Sequence, residues 1–239
     1  MEHLHRPLRV ELVRSLIESF FPVTVHVEVA GPEASREPLL PEEEAAVRGA
    51  GPTRRRDFVL GRTCAHRALE RLGLERQPVL RGEGGAPIWP DGVVGTVSHC
   101  GGVAAAAVAR SGDVAALGLD LEAAVPLSAE LRTYVCGPRE LERAQPLGSP
   151  PVGDWEKLIF SAKESVFKCH FPVGGRFLEF SDIEIEVASA GRRFLARVAG
   201  DPRPIEGYYG WANGSVVTGA LIPRAPRAGA RRRAPRSRG

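Results

Sequence analysis

The chain has 239 residues, 43% hydrophobic and 26% charged, enough apolar material to bury a sizeable core as one large domain or two small ones. No apolar run is long enough to cross a bilayer, and the first residues lack the basic, apolar and small-residue regions of a secretory signal, so a cytoplasmic protein is expected. The formal charge of +3 is set by the C-terminal end: removing the seven arginines from Arg224 onward leaves 25 cationic side chains against 29 acids, a body at −4.

Leu8, Leu12, Leu16 and Phe20 recur at helical spacing and predict a short amphipathic helix over 8–21, ended by Pro22. Alternation predicts a strand over 23–29, and helices follow over 42–48 and 58–72, the second stopped by Gly73. The Gly- and Pro-dense stretch RGEGGAPIWPDG over 81–92 predicts an irregular loop. Strands are expected over 93–97 and 103–108, with Ser98-His99-Cys100-Gly101-Gly102 as a polar break between them, a favoured kind of place for a site. After a strand over 114–122 comes a weakly patterned region holding Pro138, Pro146, Pro150 and Pro151. A strong helix then runs from an N-cap at Asp154 to about His170, before Phe171-Pro172, and strands are expected over 182–187, 194–198 and 216–222. The segment 224–239, rich in Arg, Pro and Ala, cannot bury apolar surface and is expected to be disordered. This order predicts a mixed α+β protein with two comparable parts, 1–112 and 113–223, and a tail over 224–239. Similarity between the halves is faint, chiefly a helix-then-strand order. Cys64, Cys100, Cys136 and Cys169 form no C-x-x-C pair and read as reduced, packed thiols.

Two segments carry chemistry. In Gly118-Leu119-Asp120-Leu121-Glu122 the strand period of two puts both carboxylates on one face, and adjacent like charges invite a cation, although a solvent-facing strand gives the same pattern. In the helix after Asp154, the apolar stripe Trp155, Leu158, Ile159, Ala162, Val166 and Cys169 lies opposite Glu164 and Lys168, an i, i+4 pair. Such a pair is ordinarily a solvated salt bridge, but Phe160 and Phe167 flank it, so the face is expected to be covered. The chain has three lysines, Lys157, Lys163 and Lys168, all in this helix, where a compact ammonium suits phosphate as a point charge.

Gly118-Leu-Asp-Leu-Glu122, followed by Trp155-Glu-Lys-Leu-Ile-Phe-Ser-Ala-Lys-Glu-Ser-Val-Phe-Lys168 with 43 positions from Asp120 to Lys163, resembles the two-part signature of phosphopantetheinyl transferases. Arg54-Arg-Arg-Asp-Phe58, Gly61-Arg-Thr-Cys-Ala65, Arg81-Gly-Glu-Gly-Gly85, Pro87-Ile-Trp-Pro90 and Gly95-Thr-Val-Ser-His99 are similar to the branch that holds enterobactin synthetase component D and the actinobacterial carrier-protein activators. The resemblance spans roughly 40–180. It implies two similar α+β halves related by a pseudo-twofold, with coenzyme A in the cleft between them. It implies Mg²⁺ ligation by Asp120, Glu122 and Glu164, nucleotide-phosphate contacts from Ser98 and His99, and cationic contacts to the 3′-phosphate and adenine from Arg54, Arg62 and Arg81. By the same resemblance Lys168 matches the lysine at the pyrophosphate, Lys163 would be a further position at the coenzyme, and Glu164 and Lys168 would carry the catalysis, Glu164 assisting deprotonation of the serine directly or through a metal-bound water. The register among Arg54, Arg55 and Arg56 is open. The chain departs from its relatives at Gly84, where a cation is frequent, and at Arg81, where lysine is common.

The implied activity is Mg²⁺-dependent transfer of 4′-phosphopantetheine from coenzyme A to a serine of an apo acyl or peptidyl carrier protein, releasing 3′,5′-ADP. The carriers would serve polyketide, nonribosomal-peptide, siderophore or fatty-acid synthesis, and two joined halves would let a monomer complete the cleft. No membrane or nucleic-acid partner is expected. Two other readings use the same features. A Mg²⁺-dependent nucleotide phosphohydrolase would employ the carboxylates without an acceptor protein, and a non-enzymatic nucleic-acid-binding module would employ the basic tail, against which the acidic body argues. Leu127, Leu131 and Val135 are read as core packing in preference to a carrier-docking surface.

Overall fold

Sheets of three, five and two antiparallel strands organise the computed structural model, which describes residues 10–188 and 190–224. The first residues of the predicted N-terminal helix and the tail beyond Arg224 lie outside the described residues. Helix α1 (Val10–Glu18) leads into β1 (His26–Ala30), followed by the one-turn α2 (Pro41–Glu44) and the long α3 (Pro52–Arg71). A short hairpin, β2 (Leu80–Arg81) and β3 (Pro87–Ile88), precedes β4 (Val93–Cys100), β5 (Val103–Arg110) and β6 (Val114–Ala123). Then come α4 (Ala129–Val135), α5 (Pro138–Ala144), α6 (Trp155–Gly174), β7 (Ile183–Ala188), β8 (Arg193–Val198), β9 (Ile205–Ala212) and β10 (Ser215–Pro223). Strand order is β1-β5-β4 in one sheet and β6-β10-β9-β8-β7 in the other. The mixed α+β class expected from the sequence is the one observed, and no helix among the described residues is long and apolar enough to cross a membrane.

Each large sheet is covered by one 20-residue helix. Leu60, Cys64, Ala65, Ala68 and Leu69 of α3 pack on Ala104, Ala106 and Val108 of β5. The other face of β5, Ala105, Ala107 and Ala109, joins Val13 and Ile17 of α1 and Leu117, Leu119 and Leu121 of β6 in a cluster that spans both sheets. This double burial accounts for the unbroken apolar run of β5, since neither face meets water. Leu158, Ile159, Ala162, Val166 and Cys169 of α6 pack on Ala116, Ile185, Ala196 and Ala220, with Val135 of α4 in the same cluster, so the stripe read from the sequence is the buried one.

Several boundaries differ from the sequence expectation, each for a local reason. Ser98 and His99 lie within β4, because Gly101 and Gly102, both left-handed at φ 59° and 82°, make the tight turn that lets the ladder run to Cys100 opposite Val103. Pro52 opens α3 six residues before the predicted start, its missing N–H being harmless in a first turn. Asp154 caps α6 as expected, accepting from Lys157 N at 2.7 Å, but the helix runs through Pro172 to Gly174 and ends on left-handed Gly175. The Gly-Pro-rich loop contains the β2–β3 hairpin, and the weakly patterned region contains α4 and α5. Strand β9 was not anticipated: Gly207 interrupts its apolar alternation, and the Phe194 ring fills the space a Cβ would occupy there, at 2.0 Å.

The two large sheets meet edge to edge between β4 and β6 without a backbone ladder. Thr96 Oγ1 accepts from Leu119 N and Ser98 Oγ from Leu121 N, both at 3.1 Å.

Candidate active site

The carboxylates of β6 are set by strand period: Leu119 and Leu121 face the α1 side, while Asp120 and Glu122 face α6. Close approach of the helix depends on Gly118, where a Cβ would stand 1.8 Å from the Ser165 carbonyl oxygen. Asp120, 3% exposed, is bonded at both oxygens. Lys168 donates to Oδ1 at 2.6 Å and Ser98 at 3.1 Å, while Ser161 donates to Oδ2 at 2.9 Å. Lys168 also reaches the Leu119 carbonyl at 3.2 Å. Glu122 is held by Lys157 at 3.2 Å, an ammonium that also stands over the Phe160 ring. Among the described residues no donor is bonded to the Glu164 carboxylate, which shares the α6 face with Ser161 and Lys168.

Burial, and then the Asp120 charge, push the Glu122 carboxyl above its ordinary pKa against the pull of Lys157. Burial also raises Glu164, with Asp120 and Glu122 adding to it and Lys168 opposing. Glu122 and Glu164 therefore both sense the Asp120 charge, and positive charge beside them would relieve that repulsion. As the side chains stand, no three His, Cys, Asp or Glu residues among those described form a ligand cluster, and Lys157 and Lys168 pair with Glu122 and Asp120. The donor set itself, three carboxylates and no sulfur or imidazole, fits a hard oxygen-seeking ion such as Mg²⁺.

Beside this group, on the far side of β4, lies a cavity of about 690 Å³ lined by Arg54, Arg62, Arg81 and His99, with Phe58 and Gly61 in its wall. Arg62 is buried, stacks 4.4 Å over Phe58, and its Nε–H makes no hydrogen bond, the Glu43 carboxylate standing 4.0 Å away. Burial lowers its guanidinium pKa and Arg81 adds to that, while Glu43 opposes. A buried, incompletely bonded cation next to a second cation is a site for an anion. Arg55 pairs with Glu44 at 2.7 Å and Arg56 with Asp57 at 3.0 Å, so of the three consecutive arginines it is Arg54 that lines the cavity. His99 is half exposed at the cavity edge, with Nδ1 3.9 Å from Asp57. Trp89 packs against Gly95 and shapes the loop. A second cavity of about 800 Å³, between Phe20–Pro22 and Tyr208, collects none of these groups.

Two residues expected to face a ligand do not. Ser98 is buried and its hydroxyl is used by Asp120, Leu121 N and Lys168, so it points at the carboxylates and away from the cavity. Lys163 is turned from the site altogether. Its ammonium is 2% exposed and donates to Glu140 at 2.9 Å and to the carbonyls of Val135 and Phe180 at 2.7 and 3.0 Å. Ser161 and Thr218 were missed, and Lys157, singled out with the other two lysines, was not expected to hold Glu122. Ser161 had a signal, since it precedes Glu164 by three and Lys168 by seven positions on one helix face. Thr218 had none, because its place opposite Asp120 depends on the β6–β10 register.

Residues 42–109 match the family described as the 4′-phosphopantetheinyl transferase N-terminal domain, and residues 116–219 match the 4′-phosphopantetheinyl transferase superfamily. The chain is 41% identical over 224 residues to 4′-phosphopantetheinyl transferase Svp of Streptomyces mobaraensis, covering 90% of each chain. It is 34% identical to 4′-phosphopantetheinyl transferase PptT of Mycobacterium tuberculosis, over 82% of this chain and 89% of that one. With enterobactin synthase component D of Escherichia coli it shares 36% identity over 52% of this chain and 58% of that one.

Proposed function

Because the chain belongs to the 4′-phosphopantetheinyl transferase superfamily, we propose that the cationic cavity and the carboxylates of β6 and α6 form one active site that moves the phosphopantetheine arm of coenzyme A onto a carrier-protein serine. The observation that carries this reading is the adjacency of the two halves of the chemistry. Neighbouring residues of β4 serve each, Ser98 bonding Asp120 while His99 lines the cavity.

In this reading Arg54, Arg62 and Arg81 bind the nucleotide end of coenzyme A, and His99 reaches the phosphates at the cavity edge. Asp120, Glu122 and Glu164 would hold Mg²⁺, which when bound supplies neutralising charge across the pyrophosphate. Glu164, half-buried and bonded to no donor among the described residues, takes the proton of the carrier serine, directly or through a water. The serine oxygen bonds to the β-phosphorus, the bridging P–O bond breaks, and its electron pair leaves on 3′,5′-ADP. Lys168 offsets the charge that gathers on that leaving group. The acceptor is an apo carrier of a polyketide, nonribosomal-peptide, siderophore or fatty-acid assembly line, and the two halves of a monomer complete the cleft.

The test incubates the full chain with coenzyme A, MgCl₂ and a set of apo acyl and peptidyl carriers, read by intact mass. A phosphopantetheine adduct that disappears with EDTA is expected, and Glu164→Gln should slow it by about 10²–10⁴-fold while leaving the circular dichroism unchanged. Absence of adduct on every carrier would refute the reading. Cleavage of coenzyme A without an acceptor would favour the phosphohydrolase instead.

A further inference from the structure

Asp120 is gripped from two separate elements, β4 and α6. Its Oδ1 is taken by Ser98 of β4 and Lys168 of α6, and its Oδ2 by the fully buried Ser161 of α6. Behind Ser161 stands Thr218 of β10, also fully buried and paired directly with Asp120 in the β6–β10 register. Thr218 Oγ1 lies 2.8 Å from the Ser161 carbonyl oxygen and 2.9 Å from Ser161 Oγ.

Proton accounting fixes the direction of this chain. Each hydroxyl has one hydrogen. The carbonyl oxygen of Ser161 accepts only, so Thr218 Oγ1 donates its hydrogen there. The Ser161 hydrogen then has two acceptors in reach, Thr218 Oγ1 and Asp120 Oδ2, and the charge of the carboxylate favours the second. The order is Thr218 to Ser161 to Asp120. A carboxylate that merely filled space would not need a buried hydroxyl on this oxygen with a second buried hydroxyl behind it, when burying a hydroxyl is itself unfavourable unless it is bonded.

We infer that Ser161 and Thr218 are positioning residues for the reaction. Thr218 holds Ser161 in place through its carbonyl and stands against its hydroxyl, and Ser161 fixes the plane of the Asp120 carboxylate so that Oδ1, the oxygen now covered by Lys168, is the one presented to a cation. The inference rests on Asp120 being a metal-binding carboxylate, and groups that orient such a ligand from behind ordinarily tune metal affinity about 10–100-fold.

The experiment titrates Mn²⁺ into the coenzyme A complex of the full chain, followed by electron paramagnetic resonance, for the wild type and Asp120→Ala, Ser161→Ala, Thr218→Val and Thr218→Ser. Thermal midpoints are measured in parallel. Ser161→Ala and Thr218→Val should weaken Mn²⁺ binding by about tenfold or more, Thr218→Ser, which keeps the hydroxyl, should restore it, and Asp120→Ala should lose it. If Asp120→Ala loses Mn²⁺ while Ser161→Ala and Thr218→Val bind it as the wild type does, with only their thermal midpoints lowered, the hydroxyls are structural and the inference falls while the site reading stands. If Thr218→Ser is as weak as Thr218→Val, packing and not the hydroxyl is responsible, and the inference also falls. If Asp120→Ala binds Mn²⁺ normally, the site reading falls and takes the inference with it.

Discussion

Replacing Gly118 by alanine adds a single methyl group at the point where α6 comes nearest to β6. That carbon would lie 1.8 Å from the Ser165 carbonyl oxygen, 2.8 Å from Cys169 Cβ and 2.9 Å from Cys169 N. A tolerable carbon-to-oxygen contact is about 3.3 Å, so helix and strand must separate by on the order of 1.5 Å. No flexible side-chain end can give way, since the nearest obstacle is backbone. The same separation stretches the bonds from Lys168 and Ser161 to Asp120, now 2.6 and 2.9 Å, past hydrogen-bonding range. Overpacking of this kind costs about 3 kcal/mol, which for a chain of this size lowers Tm by on the order of 10 °C. Misplacing catalytic groups by about 1 Å costs on the order of 10²-fold in rate. Differential scanning fluorimetry and the intact-mass transfer assay, run well below the variant's Tm, read the two effects separately. A Gly118→Ala protein with wild-type Tm and wild-type transfer rate would refute the claim that this close approach holds the site together.

Lys163→Ala should leave Glu140 buried without its partner, at a cost of about 3–5 kcal/mol. Coenzyme A binding, measured by calorimetry at a temperature where the variant is folded, should stay close to the wild type, and a lost coenzyme response with unchanged Tm would return Lys163 to the active site. A further outcome concerns acid stability. Burial alone would raise the Glu43 carboxyl, but hydrogen bonds from His66 and from the Val79 and Leu40 N–H groups outweigh it and hold the group below its ordinary 4.5. The folded state therefore favours the charged form. The associated stability is complete above about pH 4.5 and is lost as pH falls through the lower folded value. Urea unfolding between pH 3 and 6 should show the wild type weakening below that point more steeply than Glu43→Gln, and parallel curves would count against the assignment.

Much of this was legible where period and chemistry coincide. The apolar stripe of α6, its Asp154 cap and the shared face of Asp120 and Glu122 follow from spacings of 3.6 and 2 with no tertiary information. The lysine clustering was also readable, and the structure gives it a sharper meaning. Each lysine holds a different carboxylate: Lys157 holds Glu122, Lys163 holds Glu140 and Lys168 holds Asp120. Helical phase already separates them, because Lys163 lies about 100° around the helix from Glu164 and cannot share its face. What stayed hidden depends on pairing between distant segments. Thr218 acquires a role only from strand register, Arg62 loses its water only when the β2–β3 hairpin folds over α3, and β9 is masked by a glycine whose missing side chain is supplied by Phe194. The polar break assumed at 98–102 concealed a simple alternation, Ser98 inward and His99 outward, that the two-glycine turn preserves.

The seam between β4 and β6 has a consequence for solubility. Both are outermost strands, and the amides of Leu119 and Leu121 would template pairing with a foreign strand if left open. Thr96 and Ser98 consume them with oxygen lone pairs, and Ser98 still has a proton to give Asp120. One oxygen atom thus shields the protein from self-association while it orients the Asp120 carboxylate. Damage at Ser98 should surface as turbidity on the same time course as lost turnover, so poor yield of a variant in this strand is itself a report on the site.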